Sequence, residues 1–186
     1  MPILRFVSPL IASLAVSFPA HAPANGVVVG SPVRPFALVG EAARLQGGAT
    51  TLIAFLDFSE SAAVPPERPG RSASEAEAVR AVHDALKEGG LRAVVVDATP
   101  TLLGLPSPVE ELAARVRAWG LERIPVVQDH AVAGLARSYE VARTPCVFLV
   151  DGKGILRGRW DGFVSAADLE ASVVALETGE AAATAP

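Results

Sequence analysis

The chain has 186 residues, a mass of 19.2 kDa and a formal net charge of −4. Its composition, 51% apolar and 19% charged, excludes a disordered, strongly solvated chain, and no stretch has the basic density of a nucleic-acid footprint. The single cysteine, Cys146, excludes an internal disulfide framework, a paired-cysteine redox motif and a cysteine-rich zinc or iron–sulfur site.

Residues 1–24, MPILRFVSPLIASLAVSFPAHAPA, have the order of a secretory leader: Arg5, an apolar run from Phe6 to Phe18, then small-x-small sites. Cutting after Ala22 would expose the tertiary amide of Pro23, so cleavage is expected after Ala24. The run is too short and too broken for a spanning helix, so no stable membrane insertion is expected after cleavage. No cysteine lies near the cut, which excludes a lipid-modified terminus, and no twin arginine is present, which implies export of an unfolded chain. The expected location is extracytoplasmic, periplasmic or secreted. Loss of Arg5 leaves 15 of the 16 cations against 20 anions, a net charge of −5. Residues 25–29 are then a short extension, 30–178 one domain, and 179–186 an Ala/Thr/Glu-rich tail expected to fray.

The elements follow in order. Thr51 to Leu56 is a continuous apolar run, the pattern of a strand covered on both faces. Asp57 to Gly70 carries Pro65, Pro66 and Pro69 and is not regular helix. Ser74 with Glu77 reads as a capping box for a helix whose Val79, Val82 and Leu86 share a face, stopped by Gly89 and Gly90. Leu91 to Val96 is a second buried strand, and Thr99 to Pro106 a loop. Ser107, Pro108 and Glu110 predict another helix start, with Val109, Leu112 and Val116 as its stripe. A short strand spans Ile124 to Val127 and a short helix His130 to Tyr139. Cys146 to Val150 and Ile155 to Trp160 form a hairpin across the Asp151–Gly154 turn, and Ser165 caps a last helix carrying Leu169, Val173 and Leu176. Strands separated by helices predict an α/β domain, a central mixed sheet with helices on both faces and a C-terminal β-hairpin plus helix.

Ile124 to Phe163 reads IPVVQDHAVAGLARSYEVARTPCVFLVDGKGILRGRWDGF. It resembles the thioredoxin-like redoxins, meaning TlpA-type thiol–disulfide proteins and their AhpC/TSA peroxiredoxin relatives. The shared features are the P-V-x-x-D strand, the Y-x-V helix end, the T-P step, the apolar strand ending in Asp, and the D-G turn. Val29 to Leu38 also resembles the family's G-x-P-x-P-x-F-x-L segment, so the likeness covers about 30 to 177. It implies a thioredoxin-like fold. In TlpA-type members the first strand leads into C-x-x-C at a helix N-terminus, where the dipole favours a thiolate. Here the first cysteine slot falls near Glu60 and the second near Ser72, with a proline-rich insertion between them. Dithiol exchange needs two sulfurs, so the family's mechanism is not expected. Peroxiredoxins place their peroxidatic cysteine on the same helix and an arginine where Pro145 stands, so peroxidase chemistry is not implied either.

The resemblance further implies that Pro145 occupies the family's cis-proline slot, where backbone is exposed to an extended peptide or thiol partner, and Thr144–Pro145 is expected to be cis. Arg143, Thr144, Pro145 and Glu60 are the candidate binding residues. Cys146 is the candidate catalytic thiol; the competing reading is a small apolar residue starting a core strand. Asp57 and Glu60, at the end of a central strand, read as a cation-binding or acid–base pair or as solvated loop charges. His83 beside Asp84 and His130 beside Asp129 lack a third ligand, so no metal ion is expected, and no cofactor. Trp119, Trp160 and Tyr139 read as packing aromatics. There is no Ser-His-Asp pattern and no glycine-rich phosphate loop. The functional expectation is an exported redoxin domain without the dithiol site that acts as a binding or accessory module. The alternative is a single-cysteine thiol oxidoreductase using Cys146.

Overall fold

In the computed structural model, residues 27–33, 48–59, 72–104, 107–129 and 134–179 are described. The expected leader, Glu60, the proline-rich insertion, His130 and the end of the tail lie outside the described residues. The first strand, β1 (Thr51–Leu56), is buried along its whole length. Its alternate side chains feed two cores. Leu52, Ala54 and Leu56 enter one, Ile53 and Phe55 the other. A strand covered on both faces has no solvent side, which is why it reads as continuous apolar sequence.

Around β1 the sheet has the order β3-β2-β1-β4-β5. Strands β2 (Arg92–Asp97) and β3 (Val126–Gln128) run parallel to β1, β4 (Cys146–Val150) antiparallel to it, and β5 (Leu156–Asp161) antiparallel to β4. The expected mixed sheet and hairpin are present. One core is closed by α1 (Ser72–Leu86), α3 (Val109–Ala118) and α5 (Ala166–Thr178) through Ala76, Val79, Val82, Leu112, Leu169 and Val173. The opposite core is closed by Leu102 of α2 (Thr99–Leu103) and by Leu135 and Ala136 of α4 (Leu135–Ser138), with Tyr139 just beyond. There Phe55, Tyr139 and Phe148 form a triangle with ring centroids 5.3–5.5 Å apart. Such pairs add about 1 kcal/mol each beyond their burial.

Three local expectations are corrected. The first helix begins at Ser72, so Ser74 lies within it, and Glu77 is exposed while Glu75 turns inward. Thr99 to Leu103 is a short helix, not loop: Pro100 sits in its first turn, where a missing N–H costs nothing, and Gly104 ends it at φ 65°. The third helix starts at Val109 after Pro108 with no side-chain cap, and Val109 points to solvent. The last helix follows expectation, with Ser165 accepting from the Asp168 N–H.

Two attachments hold the ends of the sheet. Residues 30–33 cover the start of the edge strand: Gly30 N–H donates to the Leu156 carbonyl at 2.8 Å, and Leu156 N–H to that of Ser31 at 3.0 Å. Asp129, after β3, organises α4. Its carboxylate accepts from the Leu135 N–H, from the Ala136 N–H at 2.9 Å and from the Thr101 hydroxyl at 2.7 Å. These bonds join α2, β3 and α4 in a buried setting where lost acceptors leave orphaned donors. Asp129→Ala is expected to cost about 3 kcal/mol, against about 1 kcal/mol for the exposed cap variant Ser165→Ala, in urea unfolding. Equal losses would show that Asp129 is not the anchor of α4.

Candidate functional site

Antiparallel pairing of β1 with β4 brings the carboxyl end of one strand beside the amino end of the other, with Phe55 opposite Cys146. Asp57, the start of α1, Pro145 and the end of β5 therefore share one end of the sheet. The Thr144–Pro145 bond is cis. Pro145 itself is buried, Thr144 is half-buried and Arg143 exposed. The Pro145 carbonyl accepts from Gly162 N–H at 2.9 Å, which ties the proline to the end of the hairpin. Phe163, the next residue, is 42% exposed and gives this edge a solvent-facing aromatic.

Cys146 has no exposed surface. Its side chain points into the core of Phe55, Tyr139 and Phe148, and its thiol donates to Asp161 Oδ1 at 3.3 Å. Burial pushes the thiol far above its ordinary range, and the Asp161 carboxylate pushes it the same way. Arg159 is the opposing cation. Its Nε donates to Asp161 Oδ2 and its Nη2 to Oδ1, both at 3.0 Å, and its guanidinium lies 5.2 Å from the centre of the Phe148 ring. This fork holds the Asp161 carboxyl below the usual carboxylate range. Arg159 also donates to the carbonyl of Glu140, a residue at φ 52° in the left-handed turn that ends α4. Arg143, the cation singled out in the sequence, donates instead to the Asp161 backbone carbonyl at 3.1 Å.

Arg159 and Asp161 were not singled out in the sequence. Their signal is the alternation of charge along β5 opposite an apolar strand. Of the carboxylate pair, Glu60 lies outside the described residues, while Asp57 Oδ1 accepts from the Ser59 N–H and hydroxyl and the Thr99 hydroxyl. Ser72, near the second cysteine slot, is fully buried, and its hydroxyl accepts from the Asp57 N–H at 2.8 Å. His83 Nδ1 is 3.9 Å from Asp84, and burial lowers its pKa. Among the described residues no group of three His, Cys, Asp or Glu side chains is placed to hold a metal ion.

Glu75 is a buried acid that the sequence reading passed over. It lies on the inner side of α1 with no exposed surface; Oε2 accepts from Val164 N–H at 2.9 Å, and Oε1 has no partner among the described residues. It joins α1 to the connection between β5 and α5. Burial raises its pKa from 4.5 to about 7, against the opposing effect of the Val164 bond.

No protein-family model matches the chain, and no curated protein matches it. Solved structures do. A hypothetical protein from Sinorhizobium meliloti aligns with a TM-score of 0.64 and 23% identity over 87% of this chain and 90% of its own. An uncharacterized conserved protein from Geobacillus kaustophilus gives 0.63 and 19%, over 87% and 88%. The thioredoxin domain of a thiol-disulfide oxidoreductase from Bacteroides vulgatus gives 0.56 and 16%, over 82% and 97%. At these identities the likeness concerns the fold, which is thioredoxin-like.

Glu75 makes stability depend on pH in a definite direction. The folded state prefers the protonated acid up to about pH 7, whereas the unfolded chain ionises near 4.5. Its contribution is complete below 4.5 and is lost as pH rises to 7, by about 3 kcal/mol. Glu75→Gln retains an acceptor for Val164 and carries no charge. Urea unfolding across this range should therefore fall more steeply with pH in the wild type than in the variant, and parallel profiles would refute the assignment.

Proposed function

We propose that the chain is an exported redoxin domain of the TlpA or AhpC/TSA type in which dithiol chemistry has been lost. It serves as a binding or accessory module that engages an extended peptide or thiol-bearing partner at the Pro145 edge. The reading rests on one observation above all: the only thiol in the chain, Cys146, is fully buried against the sheet. A nucleophilic thiol needs exposure and a stabilised thiolate. Cys146 has neither, since it is fully buried and shares its proton with a carboxylate. Ser72, near the second cysteine slot, uses its hydroxyl as a structural acceptor, and the first slot falls near Glu60. The leader-like residues 1–24 support export. The half-exposed Thr144, the exposed Arg143 and the aromatic Phe163 remain as contact groups at the edge.

The alternative, a one-cysteine oxidoreductase, requires Cys146 to form a mixed disulfide with an external thiol, and its burial opposes that. An aromatic disulfide reagent separates the two. Cys146 is expected to react only after denaturation, and the native protein should not accelerate insulin reduction by dithiothreitol. Rapid reaction of the native thiol, or clear insulin turnover, would overturn the proposal. Partner capture should survive both reductant and Cys146→Ser and should weaken several-fold in Phe163→Asp. Capture that reductant abolishes would favour the one-cysteine reading.

A further inference from the structure

The carboxyl ends of β1 and β2 hold a second feature, on the opposite side of β1 from Pro145. A cleft of about 270 Å³ opens between the turn after β1, the start of α2 and the outer side of α3, lined by Phe58, Ser59, Thr99, Ser107, Glu111, Leu112 and Arg115. Open α/β sheets place ligands beyond the carboxyl ends of parallel strands. We propose that this cleft binds a small zwitterion of the α-amino-acid class with an apolar side chain.

Three features specify that chemistry. The floor is apolar: Phe58 and Leu112 are both buried, and Phe58 is braced by Trp119 with ring centroids 4.6 Å apart. The walls carry opposite charges that do not neutralise each other. Glu111 and Arg115 are one helical turn apart, the spacing at which such residues usually pair. Among the described residues neither forms an ion pair, and both line the cleft. Behind the wall lies Asp97, with no exposed surface. Its Oδ1 accepts from Thr99 N–H at 3.1 Å, and its Oδ2 has no hydrogen-bond partner among the described residues, with Ser107 and Asp57 as its polar neighbours. A buried acceptor left unmatched favours a ligand that brings donors.

An ammonium group beside Ser107 would face Glu111, with the buried Asp97 behind that wall. A carboxylate would meet the Arg115 guanidinium, with the Ser59 hydroxyl as a second donor, and an aliphatic side chain would cover Phe58 and Leu112. With one acid and one base on its walls, the cleft offers a simple anion such as phosphate no net charge attraction.

The test is an NMR titration of the whole chain with L-leucine, N-acetyl-L-leucine, which lacks the ammonium, and L-leucinamide, which lacks the carboxylate. Leucine is expected to shift the amides of Ser59, Thr99, Ser107 and Leu112 saturably, and each blocked compound to bind about tenfold more weakly, equivalent to about 1.4 kcal/mol. In Arg115→Gln, leucine and leucinamide should bind equally; in Glu111→Gln, leucine and N-acetyl-leucine should. A purely structural role for these residues would not change ligand preference in this paired way. Absence of saturable shifts at these amides, or equal binding of all three compounds by the wild type, would overturn the proposal. The wild-type comparison decides it even if a variant fails to fold. Cys146→Ser should leave the titration unchanged, so the result is independent of events at the Pro145 edge.

Discussion

The antiparallel pairing of β1 with β4, inside a sheet covered on both faces, is the constraint on which the rest depends. It sets Phe55 against Cys146 and brings the carboxyl end of β1 to the amino end of β4. Because β2 is parallel to β1 and β5 antiparallel to β4, the same end of the sheet also collects Asp97, Asp161 and Gly162. Everything with polar or chemical character at that end is there because of strand direction. The two buried cores on either side make the register costly to change, since a one-residue slip would exchange the faces of every strand.

That pairing also settles the state of the sulfur. Cys146 is the first residue of β4 and points to the same core as Phe148 and Val150. Among the described residues its polar neighbour in hydrogen-bond contact is Asp161, whose charge is held by Arg159. The three groups form a closed arrangement. The arginine satisfies the carboxylate, the carboxylate accepts the thiol proton, and the arginine's pull toward a thiolate is outweighed by burial and by Asp161. Arg143, the nearest cation in sequence, spends its donor on a backbone carbonyl. In a redoxin with a working pair of thiols, a helix N-terminus supplies the stabilising field. Here the start of α1 carries Ser72 and, one turn on, the inward-facing Glu75, a group that loses stability on ionisation.

Much of the architecture was legible in the residues because burial on two faces leaves an unmistakable pattern. Thr51 to Leu56 and Cys146 to Val150 are uninterrupted apolar runs, and both are strands with the expected limits. Ser165 was recognisable as a cap because its hydroxyl acts on a group only three residues away. The misjudged elements were those without such a local signature. Thr99 to Leu103 is a single helical turn whose proline looks like a breaker until its position at the first turn is known. Ser74 has the spacing of a capping box, but the helix had already begun at Ser72.

The order of strands and helices, the thioredoxin-like likeness and the absence of a second cysteine follow from the amino-acid sequence alone, because they depend on local periodicity and on composition. The partners of Cys146 do not. Counting outward from the Asp151–Gly154 turn places Arg159 opposite Cys146, whereas the turn itself sets Val150 opposite Leu156 and the irregularity between Leu149 and Val150 adds a further one-residue shift, and together these bring Asp161 there instead. That shift exchanges a cation for a carboxylate beside the thiol and reverses the direction in which its proton is held. The inward turn of Glu75 toward Val164, 89 positions away along the chain, likewise exists only once α1 and α5 are packed on the same face. Contacts of this kind are set by register and packing over long sequence separations, where neither propensity nor spacing carries information.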